Sequence, residues 1–423
     1  MRVVGGCEAV RTRFDAVVVG AGPAGAATAI LLARAGWSVA LVERQRFPRR
    51  KVCGECIAAS NLPLLDTLGI GAQFSRLAGA ELRRVALMRG SEAIVAPLPA
   101  SEDGTHRYGR ALGREHLDSL LATRAEAEGA TLLQPWSLQA IEGEAGAFRL
   151  RVQPVGAGAA ALGLDASLVV AAHGSWEPLP SERAELRRAR KPSDLFAFKA
   201  NFRAATIDAD LLPVLSFDGG YGGMVVADDG LATLACCIRE DRLERDRESV
   251  PGERAGTVVE AILRRECAGV AAALEGASRE GAWLATGPIR PGVRLGANDV
   301  VFRVGNAAGE AHPIVGEGIS MALQSAFVLA SLIAPERGAL LGPASAAVAQ
   351  ARLLRTYEAR WSQRFARRLQ VAAAFAQVAM RPWAARAAWP VVAAWPGLLT
   401  RGARWSGKTR CADEALRWAH AAA

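Results

Sequence analysis

The chain has 423 residues, 51% of them hydrophobic and 22% charged, the balance of a globular protein long enough for a large core and two or three domains. Its formal charge of +9 comes mostly from arginine; no nucleic-acid motif accompanies it and only three tyrosines are present, so a nucleic-acid partner is set aside in favour of a compositional bias. Seven scattered cysteines argue against a disulfide framework, and Met1 to Phe14 carries no apolar secretory core, so the expected compartment is reducing cytoplasm.

The first element is VGAGPAGAATAILLARAGWSVALVER. Ala16 to Ala33 runs for eighteen residues without a charge, the length at which a membrane span becomes a candidate. The glycines and Pro23 near its start instead divide it into a strand (Ala16 to Val19), a turn and an Ala/Leu-rich helix. Arg34 and Gly36 close that helix, and a second strand, Ser38 to Val42, ends in Glu43. Gly20, Gly22 and Gly25 therefore form a G-x-G-x-x-G inside a βαβ unit. Gly20 permits the tight turn, Gly22 lets backbone approach a pyrophosphate, and Gly25 lets helix pack on strand. The helix N-terminus offers N–H groups to phosphates, and Glu43 is placed for ribose hydroxyls. The pattern reads as one dinucleotide site.

Residues 111–135 read as helix then strand, with Gly129 as the stop. Val155 to Ala161 carries a second glycine pair, but the strand-like Ala166 to Ala172 follows too soon for a helix, so the segment is read as a hairpin loop. Ala200 to Arg203, Gly223 to Val226 and Ala232 to Ile238 are predicted strands, and a helix is predicted near Ala255–Leu274. VVFRVGNAAGEAHPIVGEGISMALQSAFVLASLI reads as strand, glycine-punctuated loop and helix. From about Ala347 onward the pattern is helical, with breaks predicted at Pro382, Pro390 and Pro396.

GAGPAG with Glu43, Arg114 in GREHLD, and VGNAAG…HPIVGEGI together resemble the single-nucleotide-domain FAD oxidoreductases of the p-hydroxybenzoate hydroxylase fold, over roughly residues 14 to 335. That family includes aromatic hydroxylases, geranylgeranyl reductases and flavin-dependent halogenases. The resemblance implies an α/β fold: a Rossmann-type FAD-binding domain (14–77, 111–189 and 291–335), an inserted antiparallel-sheet substrate domain (78–110 and 190–290) and a C-terminal helical region (336–423). It implies FAD as cofactor, with NADPH or NADH as a candidate electron donor. Gly20, Gly22, Pro23, Ala24 and Gly25 would hold the pyrophosphate, Glu43 and Arg44 the adenosine side, and Arg114 the phosphate region. Gly305 and Asn306 would meet the ribityl chain, Asn306 standing where the family usually has aspartate. Pro313, Gly316, Glu317, Gly318 and Ile319 match the loop beside the flavin ring.

Other departures bear on chemistry. His173-Gly174 replaces the family's Asp-Gly pair, which puts direct use of NADPH in doubt, and Arg44, Arg46, Arg49, Arg50 and Lys51 offer charge for a nicotinamide phosphate but read first as a solvated basic loop. Cys53 and Cys56 form a C-x-x-C without a second ligand pair, so no metal is expected. K-x-C-G-E is similar to the Lys-Cys-Gly segment of the reductases, which implies Cys53 near flavin and substrate and makes it a catalytic candidate. His312 is the other, by its neutral-range pKa. Glu55 and Glu317 read as partners of nearby arginines, and Cys236 and Cys237 as core thiols. Tyr221 matches the reductase pattern, but Gly223, Val225 and Val226 do not, and no halogenase Trp-x-Trp-x-Ile-Pro signature occurs. The Trp- and Arg-bearing C-terminal helices fit a lid over the substrate opening or peripheral contact with a membrane. The expected function is an FAD-dependent monooxygenase acting on a hydrophobic small molecule such as a polyketide or phenolic lipid. The alternatives are a reductase of an isoprenoid or enone double bond, and a non-redox cyclase or isomerase that retains FAD. Oligomeric state is not legible.

Overall fold

The computed structural model describes residues 12–102, 106–156, 160–175, 179–180, 190–296, 300–342, 344–405 and 418. Most of the Met1 to Phe14 stretch and the tip of the Val155 to Ala161 loop lie outside these residues. So do Trp176 to Pro178, next to His173-Gly174.

Two sheets organise the chain. The first runs Thr131–Leu133, Val39–Val42, Arg13–Val19, Leu162–Ala171, Ala147–Pro154 and Trp136–Glu144, with Phe302–Arg303 beside Leu162–Ala171. Its centre is parallel: Ala16 stands opposite Val39 on one side and Leu168 on the other. Parallel strands are covered on both faces, which explains why Ala16, Val17 and Val18 are all fully buried. The helices Pro23–Arg34 and Gly318–Ile333 pack on one face in a core that also holds Leu31, Phe302 and Phe327. Ala147–Pro154 and Leu162–Ala171 pair antiparallel, so the second glycine pair does join a hairpin.

The second sheet runs Ser278–Ile289, Leu195–Arg203, Ala232–Arg239, Gly220–Val226, Leu211–Phe217, Arg84–Arg89 and Glu92–Pro97. It is antiparallel except where Leu211–Phe217 lies parallel to Arg84–Arg89, because those two strands come from the two separate chain segments that build the sheet. One face packs on the helix Ala255–Glu266. The other looks toward the first sheet.

Ala346–Met380 is a single helix that ties the two parts together. Tyr357, Trp361 and Phe365 are buried against the first core, while Ala376 and Met380 lie in one cluster with Tyr221 and Cys237 of the second sheet. A break was expected at Pro390, but helix Pro382–Ala394 runs through it. Proline there forgoes one backbone hydrogen bond without ending the helix. Gly397–Trp405 follows as a short helix. Among the described residues one helical stretch, Gly318–Leu341, is long and apolar enough to cross a membrane, and 72% of its apolar window is buried inside the fold, as befits a core helix.

Candidate functional site

The glycine turn has the stereochemistry its spacing predicts. Gly20 adopts φ +105°, and a Cβ there would stand 2.5 Å from the Ala172 carbonyl oxygen. A Cβ on Gly25 would stand 1.8 Å from the Gly20 oxygen, so only glycine lets helix Pro23–Arg34 start this close to the strand. Pro23 occupies the first turn of that helix, where its missing N–H is no loss, and Ala24 follows it. Glu43 is buried at the end of Val39–Val42: its Oε2 accepts from the Ala21 N–H at 2.9 Å and its Oε1 from the Gln45 N–H at 2.9 Å. The carboxylate is thereby held at the turn. Arg44 is exposed and lines the same cavity, of about 710 Å³, with Gly20, Gly22, Glu43, Trp136 and His173.

Basic groups collect where this cavity meets a second one. Arg114 starts helix Arg114–Ala127, and its guanidinium is clamped by Asp118 at 2.8 and 2.9 Å. Its Nη2 stands 3.7 Å from where a Cβ on Gly22 would be, and it also interacts with the Cys53 sulfur. Lys51 lines both cavities, its Nζ 3.5 Å from where a Cβ on Gly174 would be. Burial, and then the charges of Arg114 and Arg49, push its pKa down to about 8. Arg49 approaches Glu43 at 3.7 Å and Asp118 at 3.6 Å, and Arg50 pairs with Glu115 at 2.9 Å and with Glu280 of the second sheet at 2.5 Å. The solvated basic loop expected here is therefore corrected. Only Arg44 and Arg46 are exposed; Arg49, Arg50 and Lys51 fold inward because carboxylates from three elements face them.

The second cavity, of about 260 Å³, lies between the two sheets. Pro313, Gly316, Gly318 and Ile319 line one side. Gly316 takes the left-handed conformation at φ +64°, which turns the chain into helix Gly318–Ile333 and aims that helix's N-terminus at the cavity rim. Gly305, at φ +60°, packs against Ala24, and its N–H donates to Ser325 Oγ at 2.8 Å. Asn306 Nδ2 donates to Ser175 Oγ at 2.9 Å and approaches Glu310 Oε1 at 3.4 Å. Glu310 also accepts from the Ser175 hydroxyl at 2.7 Å and from Arg294 at 2.7 Å. An aspartate at 306 would face Glu310 as a second carboxylate; asparagine donates to it instead.

The opposite wall comes from the second sheet: Leu212, Val214, Tyr221, Met224 and Cys236, with no charged group among them. Cys53 and Cys56 line the cavity, and Cys53 Sγ accepts from the Glu55 N–H at 3.3 Å. Burial raises the Cys236 pKa far above its ordinary value and pushes Cys237 up to about 12, so both stay thiols, as core cysteines do. His312 reaches the cavity only through another side chain. It is not part of the lining, and its Nδ1 lies 3.3 Å from the Tyr221 hydroxyl. Burial lowers its pKa, leaving a neutral ring at pH 7. Tyr221, not the expected His312, therefore stands at the cavity wall. Glu55 is corrected too: it pairs with Lys199 rather than an arginine, and accepts from Thr233 Oγ1 at 2.5 Å and the Arg114 N–H at 2.9 Å.

Several site residues escaped sequence reasoning. Glu310 stands four places after Asn306, a proximity that could have flagged it. Lys199, Thr233 and Arg294 carried no local signal, whereas Asp118 stands four places after Arg114 inside GREHLD.

The residues present fit FAD: a cradle that Cβ atoms would fill, a buried carboxylate beside it, cations at the junction, and a second cavity ended by a helix N-terminus. Fold and site define an FAD-binding protein of the p-hydroxybenzoate hydroxylase fold. The chain belongs to the family described as FAD binding domain, which matches residues 13–372. It is 35% identical to a menaquinone reductase of Mycobacterium tuberculosis over 119 residues, 28% of each chain. It is also 35% identical to a kynurenine 3-monooxygenase of Xanthomonas oryzae pv. oryzae over 142 residues, 31% of this chain and 30% of that one. Each match thus spans less than a third of the curated relative. The flavin-dependent brominase Bmp2 superposes with a TM-score of 0.73 at 15% identity, covering 97% of this chain and 98% of that one, a likeness of fold.

Proposed function

We propose that this protein is a monooxygenase of an uncharged, hydrophobic small molecule, of the phenolic-lipid or polyketide kind, with NADPH or NADH as electron donor. The observation that carries the reading is the 260 Å³ cavity, whose sheet-side wall is apolar while every charged lining residue comes from the cofactor side. A charged substrate would lie against Leu212, Val214 and Met224 unpaired, at a desolvation cost of several kcal/mol.

Bound FAD supplies the redox-active ring that takes electrons from the donor and activates oxygen. The chain's residues do the rest. Gly20, Gly22 and Gly25 admit the pyrophosphate, with Lys51 and Arg114 supplying positive charge beside it and Glu43 accepting from ribose hydroxyls. The N-terminus of helix Gly318–Ile333 favours negative charge at the ring edge. Tyr221, backed by neutral His312, offers one hydroxyl to orient a polar head of the substrate. The apolar wall excludes water.

A second reading, reduction of an isoprenoid or enone double bond, is favoured by Cys53 at the cavity wall beside Arg114 and by the partial identity to a menaquinone reductase. One experiment separates the two. The holoprotein is reduced anaerobically with NADPH or NADH and divided: one part is given an alkylphenol under labelled oxygen, the other an alkyl enone with oxygen excluded. Label in the product supports oxygenation. Saturated product formed without oxygen selects the reductase, and flavin that neither donor bleaches removes the direct-donor step.

A further inference from the structure

Helix Pro382–Ala394 has apolar residues on the wrong side for a water-facing surface, and Trp395 and Trp405 beyond it are exposed as well. In Pro382–Ala394, Ala385 packs inward, yet Trp383, Ala387, Val391 and Ala394, spaced along one stripe, are all exposed. A helix on a globular surface puts polar residues there. Trp383, Trp395 and Trp405 are 69%, 67% and 70% exposed. The surface is continuous with the end of the long helix: Phe375 is exposed, and its ring lies 3.7 Å from where a Cβ on Gly402 would stand. Thr400 donates to the Pro97 carbonyl at 2.7 Å, so helix Gly397–Trp405 is anchored to the second sheet rather than loose. Charge singles out the occupant. Between Ala359 and Trp405 there are eight arginines and no Asp or Glu, and Arg381, Arg386, Arg401 and Arg404 on these helices are exposed.

We propose that this face docks on an anionic lipid bilayer, with Trp383, Trp395 and Trp405 entering the headgroup layer and the four arginines meeting lipid phosphates. Exposed indole rings suit the interface, where an apolar body and a polar N–H are both satisfied. Arginine forks suit phosphate, and nothing acidic on the segment competes for them. The long helix passes from this face to Tyr221 through Ala376 and Met380, which puts the docking surface on the same element that backs the substrate wall.

The test uses the full-length holoprotein in vesicle flotation, with phosphatidylcholine alone and with phosphatidylglycerol added. Binding is expected to the phosphatidylglycerol vesicles only and to fall as salt is raised. Arg386→Gln/Arg401→Gln/Arg404→Gln should weaken it about a hundredfold at low salt, from about fivefold per basic residue. Trp383→Ser/Trp395→Ser/Trp405→Ser should abolish flotation while flavin content and melting temperature stay at wild-type values. Equal binding to neutral vesicles would overturn the proposal, as would no binding at low salt. Light scattering provides the last outcome: a dimer that the tryptophan variant dissolves, without vesicle binding, would assign the face to a second copy of this chain.

Discussion

Glu55 and Lys199, about 140 residues apart in the chain and each 1% exposed, form a buried ion pair across the junction of the two sheets. Glu55 sits at φ +59° directly after Gly54, so the loop carrying Cys53 takes a rare backbone conformation to bring that carboxylate under the second sheet. Thr233 and the Arg114 N–H complete its shell, and Asn201 donates in turn to Thr233 at 2.8 Å. Removing one partner of such a pair strands the other charge. Glu55→Gln should therefore lower unfolding free energy by about 3–5 kcal/mol, and Glu55→Gln/Lys199→Met should recover most of it. Chemical denaturation followed by fluorescence decides; a loss under about 1 kcal/mol for the single variant would show that the pair does not tie the domains.

The glycine turn separates folding from cofactor binding. Gly25→Ala drives a Cβ into the Gly20 carbonyl, so the variant should be purified without yellow colour and with a depressed melting temperature. Gly22 has free space out to Arg114 at 3.7 Å. Gly22→Ala should thus melt like wild type yet bind FAD at least about tenfold more weakly, about 1.4 kcal/mol, because on the proposed reading the added methyl would stand where the pyrophosphate approaches. Wild-type affinity in Gly22→Ala would place the cofactor elsewhere.

Lys51 gives FAD binding a pH dependence. Its pKa in the FAD-free protein is about 8, below the ordinary 10.5, so the folded apoprotein carries fewer protons there than the unfolded chain between those values. The sign follows: the burial penalty on the ammonium is fully present below about 8 and is relieved as pH rises toward 10.5. A diphosphate favours the charged form, so FAD affinity should fall as pH rises through about 8. Lys51→Met should bind more weakly at neutral pH and lose that inflection. Fluorescence titration of apoprotein across the range reads both, and an unchanged profile in Lys51→Met would assign the inflection to another group.

Restoring the family's aspartate should harm this chain. Asn306→Asp loses the donor facing Ser175 and Glu310 and sets two carboxylates within about 3.4 Å. Destabilisation of about 1–3 kcal/mol is expected, together with lower flavin retention. Glu310→Gln in the same chain should relieve it. A melting temperature of Asn306→Asp equal to wild type would show that Arg294 alone neutralises the pair.

The sequence by itself determined the first βαβ unit, the tight glycine turn with Glu43 at the strand end beside it, and the family. These depend on short-range spacing: a strand, a turn and a helix N-terminus are complete within about thirty residues, and glycine's lack of a Cβ is a local property. The hairpin at residue 155 was legible for the same reason, since too few residues intervened for a helix. Tertiary structure alone decided which groups face the cavities. Lys199 and Thr233 meet Glu55 from over a hundred residues away, Arg294 meets Glu310 sixteen residues on, and His312 is held off the cavity by Tyr221. Lys51 looked like one more surface cation in a basic run; it is half-buried and lines both cavities, and such a position is a property of packing that no residue carries in its own neighbourhood.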